Sequence, residues 1–221
     1  MTTVSWATWR RHFESNARRP MPPPAELPEL PEAWRAAITR SLARFQVGEA
    51  GEGRIAHQID RHALRGVDAD YRASLKLFVR EEGRHARILA GLVRGLGGEL
   101  LRAHWTERLF VRGRRLAGVR LKLLALLAAE VVGIEFYDLL ARRLPAGELR
   151  ARLEEIRADE AMHLEFHADF FRVHLRGPAP RACFLVGWWA VAGVAATLVV
   201  IDHGPSLRAL ELSRVELLRG L

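Results

Sequence analysis

The sequence predicts an all-α chain: a four-helix bundle with one crossover connection, preceded by an N-terminal arm and followed by extra C-terminal helices. Three observations carry this. Apolar residues recur at helical spacing over four long segments, and no segment alternates as a strand does. The breaks between those segments fall at glycines and prolines. Two Glu-x-x-His pairs, Glu82–His85 and Glu160–His163, occupy matching places in two of the segments.

The chain has 221 residues, 49% of them apolar, enough for one sizeable core. Its single cysteine, Cys183, rules out an internal disulfide framework and any cysteine-rich zinc or iron–sulfur site within one chain. A reducing, cytoplasmic setting is the default expectation. The formal net charge is +8, and nearly all of the positive charge is arginine; Lys76 and Lys122 are the only lysines. The arginines are scattered along every segment rather than clustered, so a nucleic-acid partner is not expected.

In chain order, residues 5–17 fit a short amphipathic helix. Pro20, Pro22, Pro23, Pro24, Pro28 and Pro31 then impose an extended arm, because proline is excluded from helix interiors and restricts the residue before it. Residues 1–31 form this arm region. The first long helix runs from about Glu32 to Arg65, with Trp34, Ile38, Phe45, Ala56 and Ile59 on one side. Gly66 is its stop, and Asp68 caps the second helix, which runs to about Leu96 before Gly97 and Gly98. Residues 99–113 make a longer crossover. The third helix spans about Arg115–Arg143 and breaks at Pro145; the fourth ends near Leu175, before Gly177 and Pro178. The bundle proper is thus residues 32–176.

Inside the bundle lies a repeat. Glu82 follows Glu52 by 30 residues, and Glu160 follows Glu130 by 30. Each glutamate stands about fifteen residues from its turn, so constant helical rise brings all four to one depth. Glu52 falls mid-stripe on the first helix, with Glu49 about 60° aside and still within reach of the interior. Glu130 falls mid-stripe on the third; Glu135, about 140° away, is expected in solvent. A lone buried carboxylate costs several kcal/mol even after relaxation. Four on core-facing stripes, with almost no arginine among them, call for bound cations.

The set Glu52, Glu82-x-x-His85, Glu130, Glu160-x-x-His163 resembles the ferritin-like di-iron carboxylate superfamily, in which two helices give one glutamate each and two give a Glu-x-x-His. Glu-Glu-Gly-Arg-His and Asp-Glu-Ala-Met-His are similar to motifs of its oxygen-activating branch, the acyl desaturases and arylamine N-oxygenases. The resemblance implies two iron ions, with manganese or a manganese–iron pair as alternatives. It implies that Glu82 and Glu160 bridge the ions, that Glu52 and Glu130 are terminal ligands, and that His85 and His163 each cap one ion. It further implies that Glu81 and Asp159 reach across to the other helix's histidine. His167, one turn after His163, is an additional ligand or a packed histidine.

The function so implied is an O2-dependent oxidoreductase acting on a small organic substrate, with electrons from an external donor. Metal storage and tRNA hydroxylation are the alternatives. One segment stands outside this account. Residues 182–201, within the C-terminal region 177–221, carry no charge and are long enough to span a bilayer. A fifth helix packed on the bundle is the expected reading; a homodimer interface and membrane association are the others. Residues 205–221 read as a separate amphipathic tail helix capped at Pro205 or Ser206.

Overall fold

The computed structural model describes residues 4–50, 66–105, 119–213, 215 and 217. Among these the chain is all-helical, with no strand. Six helices follow one another: α1 (Trp6–Asn16), α2 (Glu32–Ala50), α3 (Ala69–Gly95), α4 (Val119–Arg143), α5 (Glu148–His174) and α6 (Pro178–Ala209). Residues 20–31 lack regular structure, as the proline spacing requires. Glu52, the far end of the first long helix and most of the crossover lie outside the described residues.

Local chemistry sets the helix ends. Asp68 is extended, and its side chain accepts a hydrogen bond at 2.8 Å from the backbone N–H of Tyr71, capping α3. The turn after α3 needs glycine twice over. Gly97 sits at φ +79, and a Cβ on Gly98 would come within 1.9 Å of Thr39 Cγ2. Helix α3 therefore ends flush against α2.

Helix α2 packs on α3, and α4 on α5, while α3 meets α5. Two apolar clusters fill the interior. One gathers Ile38, Leu42, Leu89, Leu92, Leu140 and Leu153; the other gathers Phe13, Leu75, Phe78, Leu123, Phe166 and Phe170. Between them, in sequence on α3, α4 and α5 alike, lies a polar stretch: Glu81, Glu82 and His85; Glu130; Asp159, Glu160 and His163. All seven are buried. Helix α1 lies against α3, with Phe13 packed on Phe78, Phe166 and the ring of His163.

Helix α6 corrects two expectations. It does not stop at Pro205 to begin a separate tail; it runs through that proline to Ala209. Proline in a helix interior costs about 3 kcal/mol. Burial of His203, Ser206 and Leu207 on either side of it holds the helix straight through. Nor is 182–201 a buried fifth helix: of these residues only Ala192 is buried. The helix is apolar all round, and the bundle covers one side of it. Its base carries a second polar cluster, in which buried Asp202 meets Arg44 at 3.6 Å and His104 at 3.5 Å, and His203 Nδ1 lies 3.0 Å from Ser41 Oγ.

Candidate metal centre

Glu82, His85, Glu160 and His163 each offer a donor atom, and these atoms all lie within 4.8 Å of one another in a buried pocket of space. The i, i+3 spacing on α3 and on α5 puts each carboxylate one turn from its histidine on the same face. Antiparallel packing of α3 against α5 then faces the two pairs. His85 Nδ1 lies 3.0 Å from Glu160 Oε1, and His163 Nδ1 lies 2.7 Å from Glu82 Oε1 and 2.9 Å from Glu160 Oε2.

The histidines point the same way for the same reason. His85 Nε2 is 3.1 Å from Asp159 Oδ2, and His163 Nε2 is 3.1 Å from Glu81 Oε2. Each acid sits on the helix opposite its histidine. An Nε2–H donated to a carboxylate leaves the Nδ1 lone pair turned inward, the arrangement a ligand histidine uses.

Arg19, which no sequence motif singles out, ties the two outer acids together. Its Nη2 donates to Glu81, and to Asp159 Oδ2 at 2.7 Å. Arg84 supports it from below, bonding Glu155 at 2.6 Å and the carbonyl of Pro20 at 3.4 Å. The proline-rich arm thus begins as a clamp on the outer wall of the centre. The only sequence-level signal was an arginine just ahead of a rigid polyproline stretch.

Helices α2 and α4 close the ring. Glu130 is buried, hydrogen-bonded to Glu160. Glu49 accepts from the Tyr137 hydroxyl at 3.2 Å and is hydrogen-bonded to Glu82. Glu49 was expected to stand aside from Glu52; of the two, Glu49 is the one among the described residues, and it reaches the centre. His167 is fully buried with its Nε2 3.8 Å from Glu130 Oε1, and neither ring nitrogen has a hydrogen bond. Burial and the neighbouring His163 push its pKa down to about 3, so it is neutral. Glu135 is half-buried rather than freely solvated.

The electrostatics of the ring are one-sided. Burial, and then the charge of Glu160, raises the carboxyls of Glu49 and Glu130, Glu130 strongly. Burial opposes a charge on His85 and His163, yet Glu160 and the outer acids raise both, His85 to about 9. Burial also works against the Glu160 anion, but the hydrogen bond from Glu130 and the two imidazoles hold it well below the usual carboxylate range. Acids that keep their protons and bases that gain one mark the same thing, a well of negative potential. Protons stand where a cation fits.

The donor set passes the test for a metal. His85 Nδ1 and Glu160 Oε1 face each other at 3.0 Å, buried and without hydrogen-bond geometry. Two acceptors aimed at a common point are what a shared cation accounts for. Carboxylate oxygens with imidazoles suit iron, manganese or zinc, and the chain offers no thiolate here. No family model matches the chain, and no curated protein matches it. The class defined by fold and site is a helical protein with a buried glutamate–histidine centre able to hold metal.

Proposed function

We propose that the chain is a ferritin-like di-metal carboxylate oxidoreductase that uses O2 to oxidise an organic substrate. The observation that carries it is the cross-paired ring: two inward Nδ1 atoms, each fixed through its Nε2 by an acid on the opposite helix. Glu82 and Glu160 lie between the two histidines and would hold the metal together with them. Glu49 and Glu130 flank them, and Glu52 remains a further candidate outside the described residues. Iron, or iron with manganese, supplies the reduction of dioxygen when bound.

The helical layout supports a four-helix bundle with one crossover. The N-terminal halves of α3 and α4 contribute to the same apolar cluster, as do their C-terminal halves. The two helices therefore run parallel. Consecutive helices that run parallel need a connection that crosses the length of the bundle.

The chain's own residues supply position and dryness. Glu81, Asp159 and Arg19 keep the histidines turned inward. The two apolar clusters above and below exclude water, which strengthens every charge interaction between them. Tyr137 holds a proton against Glu49, and burial and that acid raise the phenol well above its ordinary pKa. An open groove of about 1980 Å³ lies between the start of α1, the C-terminal half of α5 and the start of α6, and none of the centre's acids or histidines lines it. Its floor includes Leu127 and Val131, either side of Glu130, and Leu164 and Ala168, next to His163 and His167.

The test is metal analysis of protein purified from iron- and manganese-replete cells, with absorbance followed as the reduced protein meets oxygen. About two metal ions per chain and an oxygen-dependent spectral change are expected. Fewer than about one ion per chain under both conditions would overturn the reading. A large shell by light scattering would replace it with storage.

A further inference from the structure

We propose that α6 is a membrane-docking face on which the protein sits flat against an anionic lipid surface. Exposed large apolar residues are sparse elsewhere but gather here. Leu185 is 54% exposed, Val186 73%, Trp189 68%, Val194 60% and Ile201 61%. With the smaller exposed Ala182, Ala190 and Gly193 they cover an arc about 180° wide at 100° per residue. A contiguous apolar surface of this size is not left to water without a partner.

Helix α6 is long and apolar enough to cross a membrane. Its packing argues that it lies along the surface instead. Its first turns pack on one apolar cluster through Phe184, Trp188 and Val191, and its last turns on the other through Val199 and Leu207. Among the first of these turns, Gly187 lets the helix approach Leu124, where a Cβ would stand 3.5 Å from Cδ2. A helix held along the bundle's whole length exposes one side only, as an interfacial helix does.

Charge and shape choose lipid over a second copy. The exposed charges on α6 are Arg181 and Arg208, one at each end, with exposed Arg176 just before it; among the described residues none of the three has a carboxylate within salt-bridge distance. Asp202, the one acid on α6, is buried against Arg44. An apolar band ended by guanidiniums that have no carboxylate partner among the described residues matches hydrocarbon flanked by phosphate and carboxylate head groups. Two paired helices would cover only a narrow seam, leaving much of a half-turn arc exposed, whereas lipid covers all of it. The surface does not depend on whether the centre holds metal.

The experiment is flotation of the full chain with vesicles of phosphatidylcholine, with and without phosphatidylserine, alongside its mass by light scattering. Binding to serine-containing vesicles, weakened by salt, is expected. Val186→Glu with Trp189→Glu should weaken it at least about tenfold, since both positions are exposed and their burial in lipid is the attraction. Arg176→Gln with Arg181→Gln should weaken binding about fivefold per arginine on serine-containing vesicles and little on neutral ones. Release of the bound protein at alkaline pH supports a flat-lying helix, and retention overturns it in favour of a span. No vesicle binding overturns the proposal, and a dimer broken by Val186→Glu would assign the face to a second copy.

Discussion

Two buried acid–histidine clusters lie among the described residues, and they solve the same problem differently. At the base of α6 one carboxylate, Asp202, faces one guanidinium, Arg44, with His104 beside it. The charge closes within the protein. At the centre, four carboxylates converge from α2, α3, α4 and α5, and no arginine among the described residues reaches them. Arg19 stops at the outer acids Glu81 and Asp159. A guanidinium is long, planar and best matched to one carboxylate. It cannot serve four oxygens that point at one spot. What distinguishes a centre able to hold metal from a buried ion pair is a surplus of acceptors with a common focus.

The widest expected separation comes from deleting one carboxylate in each cluster. Glu160→Ala should lose both metal ions, because Glu160 stands between the two histidines. Asp202→Asn should keep both. Metal content of the two purified variants checks this directly. Equal retention would mean that Glu160 does not bridge. Glu135→Ala, half-buried and away from the ring, is the control that should also keep its metal.

Removing a cation from the self-closed cluster gives the next effect. Among the described residues, Arg44→Met leaves Asp202 buried with only the imidazoles of His104 and His203 near it. Stranding a buried charge costs on the order of 3 kcal/mol, measured as a lower urea midpoint. Metal content should be unchanged. Loss of metal instead would show that the two clusters are one network.

Arg19 sharpens the contrast from the other side. Arg19→Gln keeps a donor but removes the charge shared by Glu81 and Asp159. Such outer groups typically contribute about 10- to 100-fold in metal affinity. A fall within that range, with little change in the urea midpoint because Arg19 is partly exposed, is expected. Arg19→Lys should recover part of it. A loss of stability without loss of affinity would make Arg19 a mere strut.

Much of this was legible from the chain alone, and the exceptions have a common cause. The helix limits were legible because they are punctuated locally, by Asp68, Gly97 and Gly98, Pro145 and Pro178. The ring was legible because Glu-x-x-His spacing and core-facing stripes are properties of single helices. The pairing of Glu81 and Asp159 with opposite histidines was readable from resemblance alone, since it joins two helices. Arg19 was not readable: it is 62 residues from Glu81 and 140 from Asp159, and an extended arm delivers it. Glu49 was underrated because an ideal helix sets it 60° aside, whereas the structure brings it in against Tyr137. The side of α6 that meets water was invisible, because an all-apolar helix has no periodicity to betray a face. Asp202 read as the end of a charge-free run, and only its burial against Arg44 shows it anchoring the helix.

The smallest effect is a pH dependence that separates the clusters by sign. His203 is buried between Phe45 and Phe136, and burial, with Arg44 and His104 nearby, pushes its pKa down to about 3. The unfolded chain has an ordinary imidazole near 6.5. Below that pH the unfolded state takes up a proton that the folded state refuses. Stability from His203 is therefore fully present above about pH 6.5 and falls as pH drops toward 3, by up to ~1.4 kcal/mol per pH unit. In the metal-free protein the imidazoles of the centre run the other way: His85, raised to about 9, favours folding while protonated and loses that contribution as pH rises from about 6.5 through 9. His203→Gln keeps an amide near Ser41 but has nothing to titrate, so its stability between pH 6 and 4 should fall less steeply than that of the parent by about that slope. Urea midpoints of the two proteins across this range measure it. Identical slopes would mean that water reaches His203 and that the base of α6 is not the dry, closed cluster that the comparison requires.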